Sequence, residues 1–324
     1  MVKNMNLISE IEQKVLHGST VSYEEGLRLA QVSNKEELYA AADRVRIHFH
    51  KNRMDLCTIV NARSGKCSED CKWCSQSAHH STDIEIYDLI ERKNALDQAQ
   101  INRDAGVKKF SLVTSGRTIT DKNLNSLCEI YAVLNKKGRH ELCASMGLLT
   151  KEQLQKLYDN GVINYHCNIE TAPSYFSKVC TTHTIEEKVR TIEWAREIGM
   201  KICSGGIIGM GETMEQRIEM AIALRELRVD SIPINILNPI QGTKLENAEP
   251  LSDEEILTTI ALFRLINPRA LIRFAGGGRT KILHIQDKAL KAGINGALVG
   301  DLLTTVGVGM DEDIAHLREM GFEC

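Results

Sequence analysis

The 324-residue chain has no apolar run approaching the ~20 residues that a bilayer-spanning helix needs. A helical membrane anchor is therefore not expected. Blocks of five or more like charges are absent too, and the formal net charge is only −3. A nucleic-acid or membrane-surface protein concentrates charge of one sign, so neither partner is expected. Linkers and low-complexity segments are missing, which leaves no seam between domains. The first residues, Met1-Val2-Lys3-Asn4-Met5-Asn6, are not followed by the apolar core of a secretory signal. The expected location is the cytoplasm, a reducing compartment in which disulfide frameworks are rare. Against these absences stand ten cysteines, well above what packing requires. Metal binding is the obvious use for some of them.

Residues 1–50 read as a helical extension. Ser22-Tyr23-Glu24-Glu25 and Ser33-Asn34-Lys35-Glu36 have the form of capping boxes ahead of apolar-periodic stretches. From about residue 54, short apolar strands alternate with amphipathic helices. Strand candidates lie at 55–61, 108–114, 141–146, 162–171, 201–208, 231–237, 270–275 and 295–300. Thr150…Gln153, Thr184…Glu187, Thr213…Gln216 and Ser252…Glu255 open helices between them. Eight strand–helix repeats predict an α/β fold of the (β/α)8 TIM-type barrel, one catalytic domain over residues 51–324. Barrels of this kind carry their reactive groups at the C-terminal strand ends and in the loops that follow.

The loop after the first strand reads Cys67-Ser68-Glu69-Asp70-Cys71-Lys72-Trp73-Cys74. Three thiolates can hold three irons of a cubane and leave the fourth iron open to chelate a substrate. Electron-transfer clusters use four cysteines instead. A zinc site completed by His79 or His80 is the alternative, but zinc usually takes paired cysteines and a closed set of four ligands. The second pair is missing here. After the fifth strand comes Gly206-Ile207-Ile208-Gly209-Met210-Gly211-Glu212-Thr213, a run whose glycines permit close backbone approach.

These two motifs resemble those of the radical S-adenosylmethionine superfamily. The resemblance implies a [4Fe-4S] cluster on Cys67, Cys71 and Cys74 whose open iron binds the amino and carboxylate groups of S-adenosylmethionine (AdoMet). One electron then cleaves AdoMet to methionine and a 5′-deoxyadenosyl radical. Trp73 would lie near the adenine, and the glycine run with Ile208 along it. Within the superfamily, the chain is similar to the biotin synthase family from about residue 50 onward. The matching stretches are Ser64 to Ser77, Lys201-Ile202-Cys203-Ser204-Gly205-Gly206, Val229 to Asn235 and Leu302-Leu303-Thr304-Thr305. Tyr165-His166-Cys167-Asn168-Ile169-Glu170-Thr171 aligns with the family's YNHNLDT. That family inserts sulfur between C6 and C9 of dethiobiotin, consuming two AdoMet, with sulfur drawn from a deeper auxiliary cluster. The resemblance puts Asn168 and Glu170 on AdoMet, Glu170 replacing an aspartate at the ribose. It puts Asn235 on the ureido ring of dethiobiotin. His166 stands where the family has an asparagine that contacts the same substrate. The plain reading of such residues is that each satisfies a polar neighbour. An electron donor such as flavodoxin or ferredoxin and a homodimer are also implied.

The auxiliary site departs from the family. Its familiar form is a [2Fe-2S] cluster on cysteines of strands two, three and five and an arginine of strand seven. Cys143, Cys203 and Arg273 match, but Ser111 occupies the strand-two position. Serine is a poor substitute for a soft thiolate. Cys57, on neighbouring strand one, stands where the family usually has serine, as though the two residues were exchanged. The expected ligands are Cys57, Cys143 and Cys203, with Arg273 beside or on the cluster. Such a set suits either two irons or four, the last iron then carrying a non-protein sulfide. Period-two alternation turns His166, Asn168 and Glu170 inward and Cys167 outward. Cys180 falls ahead of the helix opened by Thr184, away from the barrel axis. Cys167 and Cys180 stay open as further ligands, whereas Cys128 and Cys324 read as bystanders. Lys109 replaces a family arginine and loses bidentate anion binding. Two rival readings remain. Hydrogenase-maturation and methylornithine-forming enzymes share the barrel and first cluster but not the auxiliary residues. An iron–sulfur scaffold or electron carrier needs no open iron.

Overall fold

The computed structural model describes residues 2–138, 140–300 and 309–324, so the Leu302–Thr305 motif lies outside the described residues. Nine strand segments appear: β1 (Asp55–Arg63), β2 (Lys109–Thr114), β3 (Glu141–Ser145), β4 (Val162–His166), β5 (Lys201–Cys203), β6 (Gly206–Ile208), β7 (Ser231–Ile236), β8 (Leu271–Gly277) and β9 (Gly296–Leu298). Their hydrogen-bonded order is β5-β4-β3-β2-β1-β9-β8-β7-β6, with β5 also paired to β7. All pairs are parallel. β1 meets β9 at Leu56↔Ala297, and β5 meets β7 at Cys203↔Ser231. The sheet is therefore a closed barrel with no free edge. β5 and β6 are two halves of one barrel position, broken at Ser204-Gly205, so the nine segments fill the eight predicted positions. At the break the backbone runs close against β7. An added Cβ at Gly205 would stand 2.0 Å from the Pro233 carbonyl oxygen on β7.

The predicted helix starts at Thr150, Thr184, Thr213 and Ser252 all form complete capping boxes, as does Ser22. The Ser33 box shifts by one residue. The helix begins at Lys35, so it is the Asn34 side chain that reaches the third helical N–H, that of Glu37. Strand four is shorter than predicted. Its ladder ends at His166; beyond it Cys167 N donates to Cys203 O at 3.0 Å, and a single bridge joins Glu170 to Gly206. Glu170 has φ 70°, a left-handed turn that no strand continues through.

The N-terminal extension folds as α1 (Val2–Leu16), α2 (Tyr23–Ala30) and α3 (Lys35–His50). α3 packs on α1 and on the helix Asp253–Ile266, whose sequence is apolar almost all round and which is buried accordingly. That helix carries Arg264, which is fully buried and donates to the carbonyls of Gly293, Pro268 and Ala270 and to Asn295 Oδ1. These acceptors precede β8 and β9, so the extension is pinned to the N-terminal face of the barrel and leaves the opposite face clear. Among the described residues no helix is long and apolar enough to cross a membrane.

Candidate active site

A cavity of about 450 Å³ runs down the barrel from the loop after β1. Alternate residues of the strands line it, among them Lys109, Ser111 and Val113 on β2 and Ser231, Pro233 and Asn235 on β7. Seven of the ten cysteines reach its wall: Cys57, Cys67, Cys71, Cys74, Cys143, Cys167 and Cys203. None of them is in a disulfide.

Cys67, Cys71 and Cys74 sit at the mouth on a loop that hydrogen-bonds to itself. Cys67 N donates to Gln76 O at 3.0 Å, Ala78 N to Cys67 O at 2.7 Å, and Cys74 N to Cys71 O at 3.0 Å. A second segment clamps the loop from outside. Asp70 Oδ1 accepts from the backbone N–H of Thr181 at 2.8 Å and of Thr182 at 3.2 Å. Glu69, buried, holds Thr182 Oγ1 at 2.8 Å and His183 Nδ1 at 2.5 Å. Burial would raise the Asp70 pKa, but the bonds from Thr181, Cys180 and Thr182 hold it well below the usual carboxylate range. Burial pushes the Cys67 thiol up, and pushes Cys74 up to about 11. Cys71 is raised by its hydrogen bond to Cys180 and by burial.

Cys57, Cys143 and Cys203 form a second group deeper in the barrel. Cys57 and Cys143 share a hydrogen bond that holds Cys57 below its ordinary value, helped by the Arg273 charge, and drives Cys143 well above. Burial raises Cys203. The register sets Ser111 opposite Cys143, and His166 opposite Cys203. His166 Nδ1 is 3.3 Å from Cys203 Sγ. Burial lowers the pKa of this imidazole, so it stands neutral beside the thiols. Arg273 is buried, pairs with Asp55 and donates to Ser231 Oγ at 3.1 Å. Its Nη1 is buried with no partner, a spare donor on the cavity wall. Lys109 also bonds Asp55, at 2.7 Å, so the residue that replaces the family arginine is spent on an ion pair.

The polar strand-end residues Asn168, Glu170 and Asn235 line the same cavity. Asn168 Oδ1 accepts from Gly205 N at 2.9 Å, and Asn168 Nδ2 is 3.3 Å from Glu170 Oε2. Glu170 pairs with buried Lys188 at 3.6 Å. Asn235 Nδ2 donates to Gly206 O at 3.2 Å. Trp73 lines the mouth, half-buried.

Residues 62–224 match the family described as the Radical SAM superfamily, and residues 233–323 match the Biotin and Thiamin Synthesis associated domain. A biotin synthase of Porphyromonas gingivalis is 52% identical over 317 residues, 98% of this chain and 96% of that protein. One from Parabacteroides distasonis is 53% identical, covering 97% and 96%. The chain belongs to the biotin synthase family. Among solved structures, methylornithine synthase superposes with a TM-score of 0.82 at 21% identity, covering 97% of this chain and 96% of the other. The FeFe-hydrogenase maturase HydG from Carboxydothermus hydrogenoformans gives 0.81 at 20%, covering 97% and 78%. At such identities these two likenesses show the fold alone.

Both thiol groups fit iron–sulfur clusters, being soft, buried or half-buried donors free of disulfides on one cavity wall. His79 and His80 do not join the mouth group: neither lines the cavity, and their rings bond Ser68 O and Cys74 O. Of the residues anticipated for AdoMet, Trp73, Asn168 and Glu170 line the cavity. Ile208 is wholly buried in the core, and its neighbour Ile207 takes the wall position. Cys167, expected to point outward, also borders the cavity, because the ladder that enforces alternation stops one residue earlier. Cys180 is not remote from the site either. Its Sγ lies 3.6 Å from Cys71 Sγ, brought there by the Glu69 and Asp70 clamp. Cys128 lies buried on an outer helix and Cys324 is exposed, both off the cavity. Lys188 and His183 went unread. A lysine four residues past a helix cap normally faces solvent, and only the tertiary structure turns this one inward.

Proposed function

We propose that this biotin synthase works with two clusters in one cavity: a [4Fe-4S] cluster with an open iron on Cys67, Cys71 and Cys74, and an auxiliary cluster on Cys57, Cys143 and Cys203 with Arg273 at its side. The supporting observation is that two groups of three thiols, buried or half-buried, face the same cavity. The enzyme converts dethiobiotin to biotin, inserting sulfur at C6 and C9. When bound, the mouth cluster supplies the electron that cleaves AdoMet into methionine and the 5′-deoxyadenosyl radical that takes those hydrogens. The chain's own residues position the reactants. Asn168 and Glu170 hold AdoMet, Trp73 walls the adenine, and the Gly206–Thr213 run borders it with Ile207, not Ile208, on the cavity wall. Asn235 and His166 face dethiobiotin. Three thiolates with Arg273 beside them suit an auxiliary cluster of two irons or of four, which would supply the sulfur to be inserted.

The chain is further read as a cytoplasmic homodimer, with flavodoxin or ferredoxin as electron donor. Its ten unpaired cysteines agree with a reducing compartment. Residues 51–324 are read as one catalytic domain and residues 1–50 as its extension.

Anaerobic assay with AdoMet and reductant tests the reaction through 5′-deoxyadenosine and biotin. Mössbauer spectra of the Cys57→Ala protein test the auxiliary ligands. The variant is expected to lose the auxiliary signal and biotin formation while still cleaving AdoMet. A full auxiliary cluster in that variant would show that Cys57 is no ligand.

A further inference from the structure

β4 runs between two of the strands that carry the deeper thiols. Its neighbours are β3, with Cys143, and β5, with Cys203. His166 pairs with Cys203 in the register, and its Nδ1 lies 3.3 Å from that sulfur. Asn164 comes two residues earlier, so it shares the inward face and also lines the cavity. Its register partner on β3 is Cys143. Neighbouring strands run about 4.8 Å apart, and same-face side chains in register stand side by side. The Asn164 amide is therefore within reach of the Cys143 sulfur and of whatever that sulfur holds.

No other group of the protein uses this amide. Asn164 is only 8% exposed, and its Nδ2 has no hydrogen-bond partner. Among the described residues, Asn164 Nδ2 and Arg273 Nη1 are the nitrogen donors on the cavity wall that are buried and unpartnered. A buried donor left unmet is destabilising, so an acceptor is expected in the working enzyme. Depth selects which one. Along the chain from the floor of the barrel to its mouth come Asn164, His166, Asn168 and Glu170. A molecule entering from the mouth meets the last three first. At the level of Asn164 stands the auxiliary thiol group. Cluster sulfur, thiolate or sulfide, accepts hydrogen bonds. A half-turn of the amide exchanges its N–H2 and its oxygen without changing its shape, so the donor can face that sulfur.

We propose that Asn164 donates an amide hydrogen bond to sulfur of the auxiliary cluster at its Cys143 corner and raises the reduction potential of that cluster. The inference rests on Cys143 and Cys203 being auxiliary ligands. A donor to cluster sulfur stabilises the negative charge added on reduction, one of the recognised controls on such potentials. Asn164 carries no charge and does not titrate, so it tunes the cluster without altering the charge of the site.

The test is an anaerobic redox titration of the reconstituted full-length chain in which Cys67, Cys71 and Cys74 are changed to alanine, leaving the auxiliary cluster as the source of signal. Asn164→Leu, close in shape but without a donor, should keep its iron and sulfide and shift the midpoint to more negative potential. A tenfold loss in the reduction equilibrium would read as about 59 mV for one electron. Asn164→Gln, which keeps the amide on a longer stem, should fall between the two. Pulsed EPR of the reduced parent, grown with asparagine labelled with 15N in its side chain, should show a coupled 15N that Asn164→Leu lacks. An unchanged or more positive midpoint in an intact Asn164→Leu cluster overturns the proposal. Absence of the 15N coupling in the parent overturns it too, even if Asn164→Leu holds no cluster. Cys143→Ala is the separate control: a full auxiliary cluster there sinks the ligand assignment rather than the hydrogen bond.

Discussion

An added Cβ at Gly206 would stand 2.4 Å from the Glu170 carbonyl oxygen and 2.6 Å from Met220 Sδ. That oxygen accepts the Ile207 N–H at 2.8 Å, so the glycine lets the segment after β4, proposed above to face AdoMet, close onto β6. Gly206→Ala must push Glu170 outward. Overpacking of this kind costs about 1–3 kcal/mol. The expected result is a lower melting temperature and an AdoMet affinity down roughly tenfold, ~1.4 kcal/mol. Calorimetric titration that finds parent affinity would show that the close approach is not needed. The thiols set a second expectation. Cys67 and Cys74 are pushed up by burial, Cys74 to about 11, so at neutral pH they hold their protons. Iron bound by these thiols, as proposed, must displace their protons, and proton competition weakens as pH rises. Cluster uptake should therefore be greater at about pH 9 than at about pH 7, as bound iron and sulfide per chain will show. A flat profile would mean that the thiols ionise without help from the metal.

At the scale of elements, the end of α3 is the sensitive joint. His50 Nε2 lies 3.2 Å from Pro268 O and 3.2 Å from Arg264 Nη1. Burial, and then the Arg264 charge, lower its pKa to about 4 from an ordinary 6.5. The unfolded chain takes up this proton as pH falls through 6.5, while the folded chain refuses it until about 4. Stability from the neutral ring is complete above 6.5 and is lost progressively between those values. Thermal melts across that range should show a steeper fall for the parent than for His50→Gln. Equal slopes would clear His50. Elements were also what the sequence made most legible. Caps such as Thr184 and Ser252 act within four residues, so their signals survive without tertiary context. Period-two inference worked for His166 and failed for Cys167, because the ladder ended between them. Cys180 was out of reach of local reasoning. Its position depends on Asp70, over a hundred residues earlier, and no spacing rule connects the two.

For the whole molecule, the two matched families divide the chain between residues 224 and 233, yet the barrel does not divide there. β1 finds its second neighbour in β9, and β5 finds one in β7, both from the later segment. A chain ending at residue 224 would leave both β1 and β5 as open parallel edges. It should aggregate, or elute as an expanded species with little protected backbone in hydrogen exchange. A compact, protected fragment would mean that the earlier segment folds on its own and that one catalytic domain over 51–324 is the wrong description.

The seam between β1 and β9 also sets a clock on biosynthesis. β1 leaves the ribosome long before Gly296–Leu298, and at ~5–20 residues per second the delay is roughly 10–50 s. Throughout that interval Cys57 and the loop bearing Cys67, Cys71 and Cys74 stand beside an unclosed wall. Oxidants can reach these thiols then, and so can the machinery that delivers iron.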